Sequence, residues 1–104
     1  MPAARNRILL DLNNPEFQGI LYRLEAAELE QVISSLRRLR ELDWNSLYRH
    51  TGFHWEAIEH LQAPNGAKVY SVRLSQRIRA LAFHEGDFLR FVSLHPDHDS
   101  AYDR

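Results

Sequence analysis

The chain has 104 residues, the usual size of one domain, and it has no cysteine, which excludes a disulfide framework and thiolate chemistry. Hydrophobic residues make up 44% and charged residues 26%, as in a globular protein with one modest core. No apolar run approaches the ~20 residues of a membrane span, and "ILL" near the N-terminus is too short for a signal-peptide core. We therefore predict a single cytoplasmic domain over 1–104 with no membrane partner.

The formal net charge of −1 excludes a polycation, but the twelve arginines and one lysine are unevenly placed. Between Lys68 and Leu94, five basic residues stand against two acidic ones, a local charge of +3 that leaves −4 for the rest. A locally basic surface is typical of a nucleic-acid site or of a site for an acidic partner. A bias toward arginine can also reflect GC-rich coding, so the positions matter more than the count.

Alternating apolar residues predict a short N-terminal strand over 6–12. A helix should follow, because Asn14 is a good N-cap residue and Pro15 suits the first helical position, where its missing N–H has no helical partner. Phe17, Ile20 and Leu21 then recur at the spacing of an amphipathic helix.

A second helix is predicted over 26–42, and two helices this close should form an antiparallel hairpin. Ser35 and Arg38 are expected to lie away from the apolar stripe of this helix. A short helical turn follows, which Asp43 caps and Gly52 ends. The stripe of the second helix is Leu29, Val32, Ile33, Leu36 and Leu39.

The rest of the chain has the period of strands. Asn65-Gly66 is a strong turn signal, Gly86-Asp87 makes a second hairpin, and Pro96 ends the last strand. That last strand is almost continuously apolar, as expected of a strand covered on both faces. The predicted strands are 55–61, 69–75, 77–84 and 88–95.

Helices that precede a run of strands indicate an α+β domain. We expect the N-terminal strand and the antiparallel helical hairpin to pack on one face of a small, mainly antiparallel sheet. Strand alternation then places Arg73 and Arg79 on the opposite face, away from the helices. Arg77 shares that parity, but its position also fits the edge of the hairpin.

Four pieces of the C-terminal half carry a resemblance: "VYSVRLSQRIRALAF", the turn "EGD", the apolar strand "FLRFVSL" and the ending "HDSAY". A Tyr-x-x-Arg strand, an Arg-Ala pair opening the next strand, and an ending with histidine and tyrosine resemble the RelE/ParE toxin superfamily. The order of elements is similar too, so the resemblance covers 6–104. It implies the small α+β fold of that family.

The resemblance implies two activities. RelE-like members are ribosome-dependent endoribonucleases that cut mRNA without a metal, whereas ParE-like members poison DNA gyrase and lack the nuclease residues. Members of both kinds are typically neutralised by a cognate antitoxin. The first interpretation is therefore a type II toxin that cleaves mRNA in association with the ribosome, needs no cofactor and is held by an antitoxin. The alternative is a non-catalytic module that binds gyrase, an antitoxin or another protein.

Metal-free RNA cleavage needs a base for the 2′-hydroxyl, fixed positive charge on the phosphate and an acid for the leaving 5′-oxygen. The resemblance assigns Arg73 and Arg79 to the phosphate. His95 and His98 are the acid/base candidates, because histidine titrates nearest neutral pH. Tyr102 matches a terminal tyrosine that some family nucleases use, although its ring could equally pin the C-terminus to the sheet.

Three further residues are candidates for RNA binding: Lys68, Arg77 and Glu56. Glu56 shares strand parity with His60, near the place where some nuclease members have a general-base carboxylate. For Arg73, Arg77 and Arg79 the alternative is a solvated strand face or an ion pair, for example with Glu56. For Glu56 the alternative is an exposed strand residue without a role.

The string "HPDHD" also has the chemistry of a metal site, since His95, His98 and Asp99 suit zinc or another transition ion. No strong set of third and fourth ligands is visible, so we predict no metal. Asp97, Asp99 and Asp103 surround the histidines and would repel an RNA backbone. Their charge leaves a protein-binding role open.

Overall fold

A computed structural model describes residues 7–96, which form three α-helices and one five-stranded sheet. The sheet order is β1-β5-β4-β3-β2; β1 runs parallel to β5, and the other pairs are antiparallel. The predicted α+β class is confirmed. The elements are β1 Leu9–Asp11, α1 Pro15–Leu21, α2 Ala26–Glu41, α3 Trp44–Arg49, a 3₁₀ turn Thr51–Phe53, β2 Glu56–Gln62, β3 Lys68–Arg73, β4 Arg79–Glu85 and β5 Phe88–His95.

The start of α1 follows from its first residues. The side-chain oxygen of Asn14 accepts hydrogen bonds from the backbone N–H groups of Glu16 at 2.8 Å and Phe17 at 3.2 Å. Pro15 occupies the first turn, where its ring restricts the backbone to a helical φ. The predicted cap is confirmed, and it directs Phe17 into the core.

The buried face of α2 differs from the predicted stripe. Ser35, expected on the outer face, is only 2% exposed, whereas Ile33, expected in the stripe, is 40% exposed. The hydroxyl of Ser35 donates to the backbone carbonyl of Leu74, the residue after β3, and this polar contact accompanies the inward orientation of Ser35. A buried serine is stable there because its hydroxyl is hydrogen-bonded.

The main core lies between the helices and one face of the sheet, where Phe17 packs against Phe91 with ring centroids 5.0 Å apart. A smaller apolar cluster occupies the opposite face and includes Val69, Leu81 and Phe83. The two central strands β3 and β4 are therefore buried on both sides along part of their length. Within residues 7–96, no helix is long and apolar enough to cross a membrane.

The connection between β3 and β4 is longer than predicted. β3 ends at Arg73 and β4 begins at Arg79, so the predicted strands 69–75 and 77–84 extended too far toward each other. The backbone N–H of Leu74 donates to the carbonyl of Ile78 at 2.9 Å, and the hydroxyl of Ser75 accepts from the N–H of Ile78 at 3.2 Å. Serine satisfies backbone donors in such a turn, which ends the strand ladder.

The cap of α3 makes part of the stability depend on pH. Asp43 accepts from the backbone N–H of Ser46 at 2.8 Å. That hydrogen bond is the largest of the effects that lower the pKa of Asp43 below 3.8; the Ser46 hydroxyl and the charge of Arg49 add to it. Because the pKa is lowered on folding, the ionised cap stabilises the protein above pH 3.8 and loses its effect as pH falls through the folded-state pKa.

Asp43→Asn should remove this dependence, since asparagine caps a helix about as well and does not titrate. We expect the free energy of unfolding of the wild type to fall more between about pH 5 and about pH 2 than that of Asp43→Asn. Urea denaturation at a series of pH values, followed by tryptophan fluorescence, measures the difference. An equal fall in both proteins would show that the cap does not titrate as described.

Candidate functional site

Three of the predicted site residues form one row across the sheet. Arg73 of β3 lies opposite Arg79 of β4, and Arg79 lies opposite His95 of β5. Directly opposed residues on antiparallel strands have side chains on the same face, with Cα atoms about 4.5–5.5 Å apart. Because Val72 and Ala80 belong to the helix-facing core, this row lies on the other face, as alternation predicted for the two arginines.

Two buried serines in the adjacent row contact these residues. Ser71 is fully buried and accepts from Nη1 of Arg79 at 3.4 Å. The hydroxyl of Ser93 lies 2.9 Å from Nε2 of His95, so a hydrogen bond orients the ring. The sequence assigned no role to either serine. Strand parity places Ser71 beside Arg73 and Ser93 beside His95, but the contact of Ser71 with Arg79 depends on the register of β3 and β4.

Arg73 has a polar atom that the described part of the fold does not satisfy. Its Nε is buried and has no hydrogen-bond partner among residues 7–96. A buried donor without an acceptor costs free energy, which an anionic ligand would offset by accepting from it. This feature favours phosphate or carboxylate binding near Arg73.

His95 is only 6% exposed, and it is one of the residues that line a cavity. The cavity has a volume of about 330 Å³ and lies between α1 and the end of β5. Glu16, Arg23 and Ser93 also line it, together with Pro96, which follows the last strand as predicted. The cavity therefore lies beside the end of the strand that carries His95.

The candidate RNA-binding residues do not converge. Glu56 begins β2 opposite Ser71 and is exposed, so it lies one row from Arg73. Lys68 is at the other end of β3, opposite Gln62, and is not brought near the row. Arg77 lies in the connection between β3 and β4 and not on the strand face that parity indicated. His98 and Tyr102 fall outside residues 7–96.

Arg90, another basic residue of this segment, has a structural role. It forms ion pairs with Glu85 at 2.6 Å and with Asp11, which link β5 to its hairpin and to β1. The hydrogen bonds to Glu85 and then Asp11 raise the pKa of Arg90. The positive charge of Arg90 is thus paired, and Arg73 and Arg79 remain the candidates for phosphate contact.

A metal centre has no support among residues 7–96, where no group of three histidine, aspartate or glutamate side chains could hold an ion. Of the residues considered for a metal, His98 and Asp99 lie outside this range.

No family model matches the chain, and no curated protein matches it. Among solved structures, the chain is similar to a copper-bound mutant toxin from Helicobacter pylori. The two are 18% identical, the match covers 89% of this chain and 97% of that one, and the TM-score is 0.47. A likeness of this size assigns neither a family nor an activity.

Proposed function

We propose that this chain is the toxin component of a type II toxin–antitoxin system of the RelE/ParE kind and that it cleaves mRNA without a metal. The observation that supports the proposal most is the row of Arg73, Arg79 and His95 on three adjacent strands. Two guanidinium groups beside an imidazole supply the fixed charge and one proton-transfer group that such cleavage needs.

In the proposed reaction, the ribose 2′-oxygen attacks the adjacent phosphorus after a base removes its proton. Arg73 and Arg79 stabilise the non-bridging oxygens of the pentavalent phosphate, because a planar guanidinium can donate two parallel hydrogen bonds to them. His95 protonates the 5′-oxygen as its bond to phosphorus breaks. The products are a 2′,3′-cyclic phosphate and a 5′-hydroxyl. His98 and Glu56 are the candidates for the base, and Tyr102 for a supporting contact.

Controlled expression tests the proposal. Induction of the wild type should stop growth, and primer extension should show discrete cuts in cellular mRNA. A chain with both Arg73→Ala and Arg79→Ala should lose both effects. The matched control carries Arg37→Ala and Arg40→Ala, which remove the same charge from exposed positions on α2 and should leave both effects intact.

Unchanged growth and intact mRNA on induction of the wild type would reject the nuclease. Cleavage that appears only when a translation extract is added to the purified protein would identify the ribosome as a partner. A short neighbouring gene whose product co-purifies with the chain would identify the antitoxin.

A second function, a non-catalytic binding module, has its own supporting observation. His95 is almost fully buried and hydrogen-bonded to Ser93, a state that equally suits a structural histidine. The net charge of −1 also favours a protein partner over RNA. A gyrase inhibitor predicts an SOS response with intact mRNA. An antitoxin-binding domain predicts a stable complex without either effect.

A further inference from the structure

Two adjoining cavities open between α2 and the connection that joins β3 to β4. Their volumes are about 430 Å³ and about 250 Å³, and they share four lining residues: Arg38, Leu74, Ser75 and Gln76. The larger one is also lined by Gln31, Ser34 and Ser35, and the smaller one by Gly52 and Arg73. We call the two together the α2 cleft.

The residues that line the α2 cleft are suited to an anion. They include two arginines, two amides and three hydroxyl groups, and no carboxylate occurs among the described lining residues. Guanidinium groups bind phosphate oxygens through paired hydrogen bonds, and amides and hydroxyls can add neutral ones. The positive charge of the two arginines favours a phosphate group, and no negatively charged side chain among these lining residues opposes it.

Arg38 is held in place before any ligand binds. Its Nη2 donates to the hydroxyl of Ser35 at 3.0 Å, and that hydroxyl in turn donates to the backbone carbonyl of Leu74. The guanidinium carbon also lies 5.3 Å from the ring centroid of Phe53. Arg38 makes no salt bridge within residues 7–96. A positioned, exposed guanidinium without a carboxylate loses little entropy when it binds an anion.

Arg73 connects the cleft to the proposed site. It lines the smaller cavity together with Arg38, and it also stands in the row with Arg79 and His95. We propose that the α2 cleft binds the phosphate of a neighbouring nucleotide of the same single-stranded RNA, with Arg38 as the contacting residue. This inference rests on the proposed function, because the RNA strand is the ligand that would cross from one position to the other.

Binding of a fluorescent 2′-O-methyl oligoribonucleotide tests this, since the blocked 2′-oxygen prevents cleavage. Arg38→Gln should weaken binding about tenfold and should reduce the slope of log K against log salt by about 0.7, the value for one phosphate contact on a single strand. Arg37→Gln, an exposed neighbour on the same helix that does not line the cleft, should change affinity less than about twofold.

A second pair of variants tests the cleft independently, in case Arg38→Gln has a folding defect. Gln76→Glu puts a negative charge into the cleft from an exposed position, and Gln62→Glu puts the same charge on β2, outside the cleft. Only Gln76→Glu should weaken binding markedly. Thermal melting of all four variants checks that they remain folded.

The outcomes separate this inference from the proposed function. If the wild type binds no RNA, both fail. If Arg79→Ala weakens binding while Arg38→Gln and Gln76→Glu match their controls, the proposed site stands and the cleft subsite is rejected. If inorganic phosphate shifts the amide NMR signals of Ser75 and Gln76 but these variants bind RNA normally, the cleft holds a small anion, and the RNA assignment is overturned.

Discussion

Arg79→Ala should lower the single-turnover rate of RNA cleavage by about 10²–10³-fold, the usual effect of removing one preorganised donor from a developing negative charge. Arg79 is the central residue of the row, opposite both Arg73 and His95, and it is hydrogen-bonded to the buried Ser71. Its guanidinium is therefore positioned before the phosphate reaches the transition state. Gel assays with labelled mRNA, carried out with and without a translation extract, measure the rate.

The matched control is Arg77→Ala, which removes the same charge from the exposed connection two residues earlier. Its cleavage rate should stay within about threefold of the wild type, because a solvent-screened charge contributes little. Arg79→Lys should fall between the two, since lysine keeps the charge but loses the bidentate fork. Equal rates for Arg79→Ala and Arg77→Ala would place the catalytic charge outside the row.

Phe17→Ala should destabilise the fold by about 3–5 kcal/mol, the usual cost of removing a large aromatic side chain from a packed core. Phe17 is fully buried and packs against Phe91 of β5. The contact holds α1 against the strand whose last residue is His95, so its loss should also disturb the site. Urea denaturation gives the difference in the free energy of unfolding.

Tyr22→Ala is the control for this prediction, because Tyr22 lies at the end of the same helix and is 74% exposed. We expect a change within about 0.5 kcal/mol. Phe17→Leu should give an intermediate loss, since leucine refills part of the cavity. A loss below about 1 kcal/mol for Phe17→Ala would mean that α1 contributes little to the core.

Much of the candidate site could be predicted because its signals are local. Strand alternation placed Arg73 and Arg79 on the face away from the helices, and the register confirms it. The same reasoning left open whether Arg77 lies on the strand face or at the edge of the hairpin, and the structure places it in the connection. Whether a residue near a hairpin lies in a strand or in the connection depends on the turn, and here Ser75 accepts backbone donors that would otherwise extend the ladder.

The face of α2 that is buried could not be predicted from local sequence either. Its helical period is clear in the sequence, yet two neighbouring stripes of the helix could have faced the core. In the structure, the helix turns Ser35 toward Leu74, which is 39 positions away in the sequence. Arg38, which is hydrogen-bonded to Ser35, then lies at the cleft. A polar contact over that separation has no signature in the local pattern.

The sequence by itself determined the order and approximate positions of the helices and strands, the N-caps Asn14 and Asp43, and the face on which Arg73 and Arg79 lie, because caps, turns and periodicity act over a few residues. Only the tertiary structure decided that His95 stands opposite Arg79, that Ser71 contacts Arg79, and that Arg38 shares a cleft with Arg73. These juxtapositions depend on strand register and helix rotation, which the packing of distant residues sets.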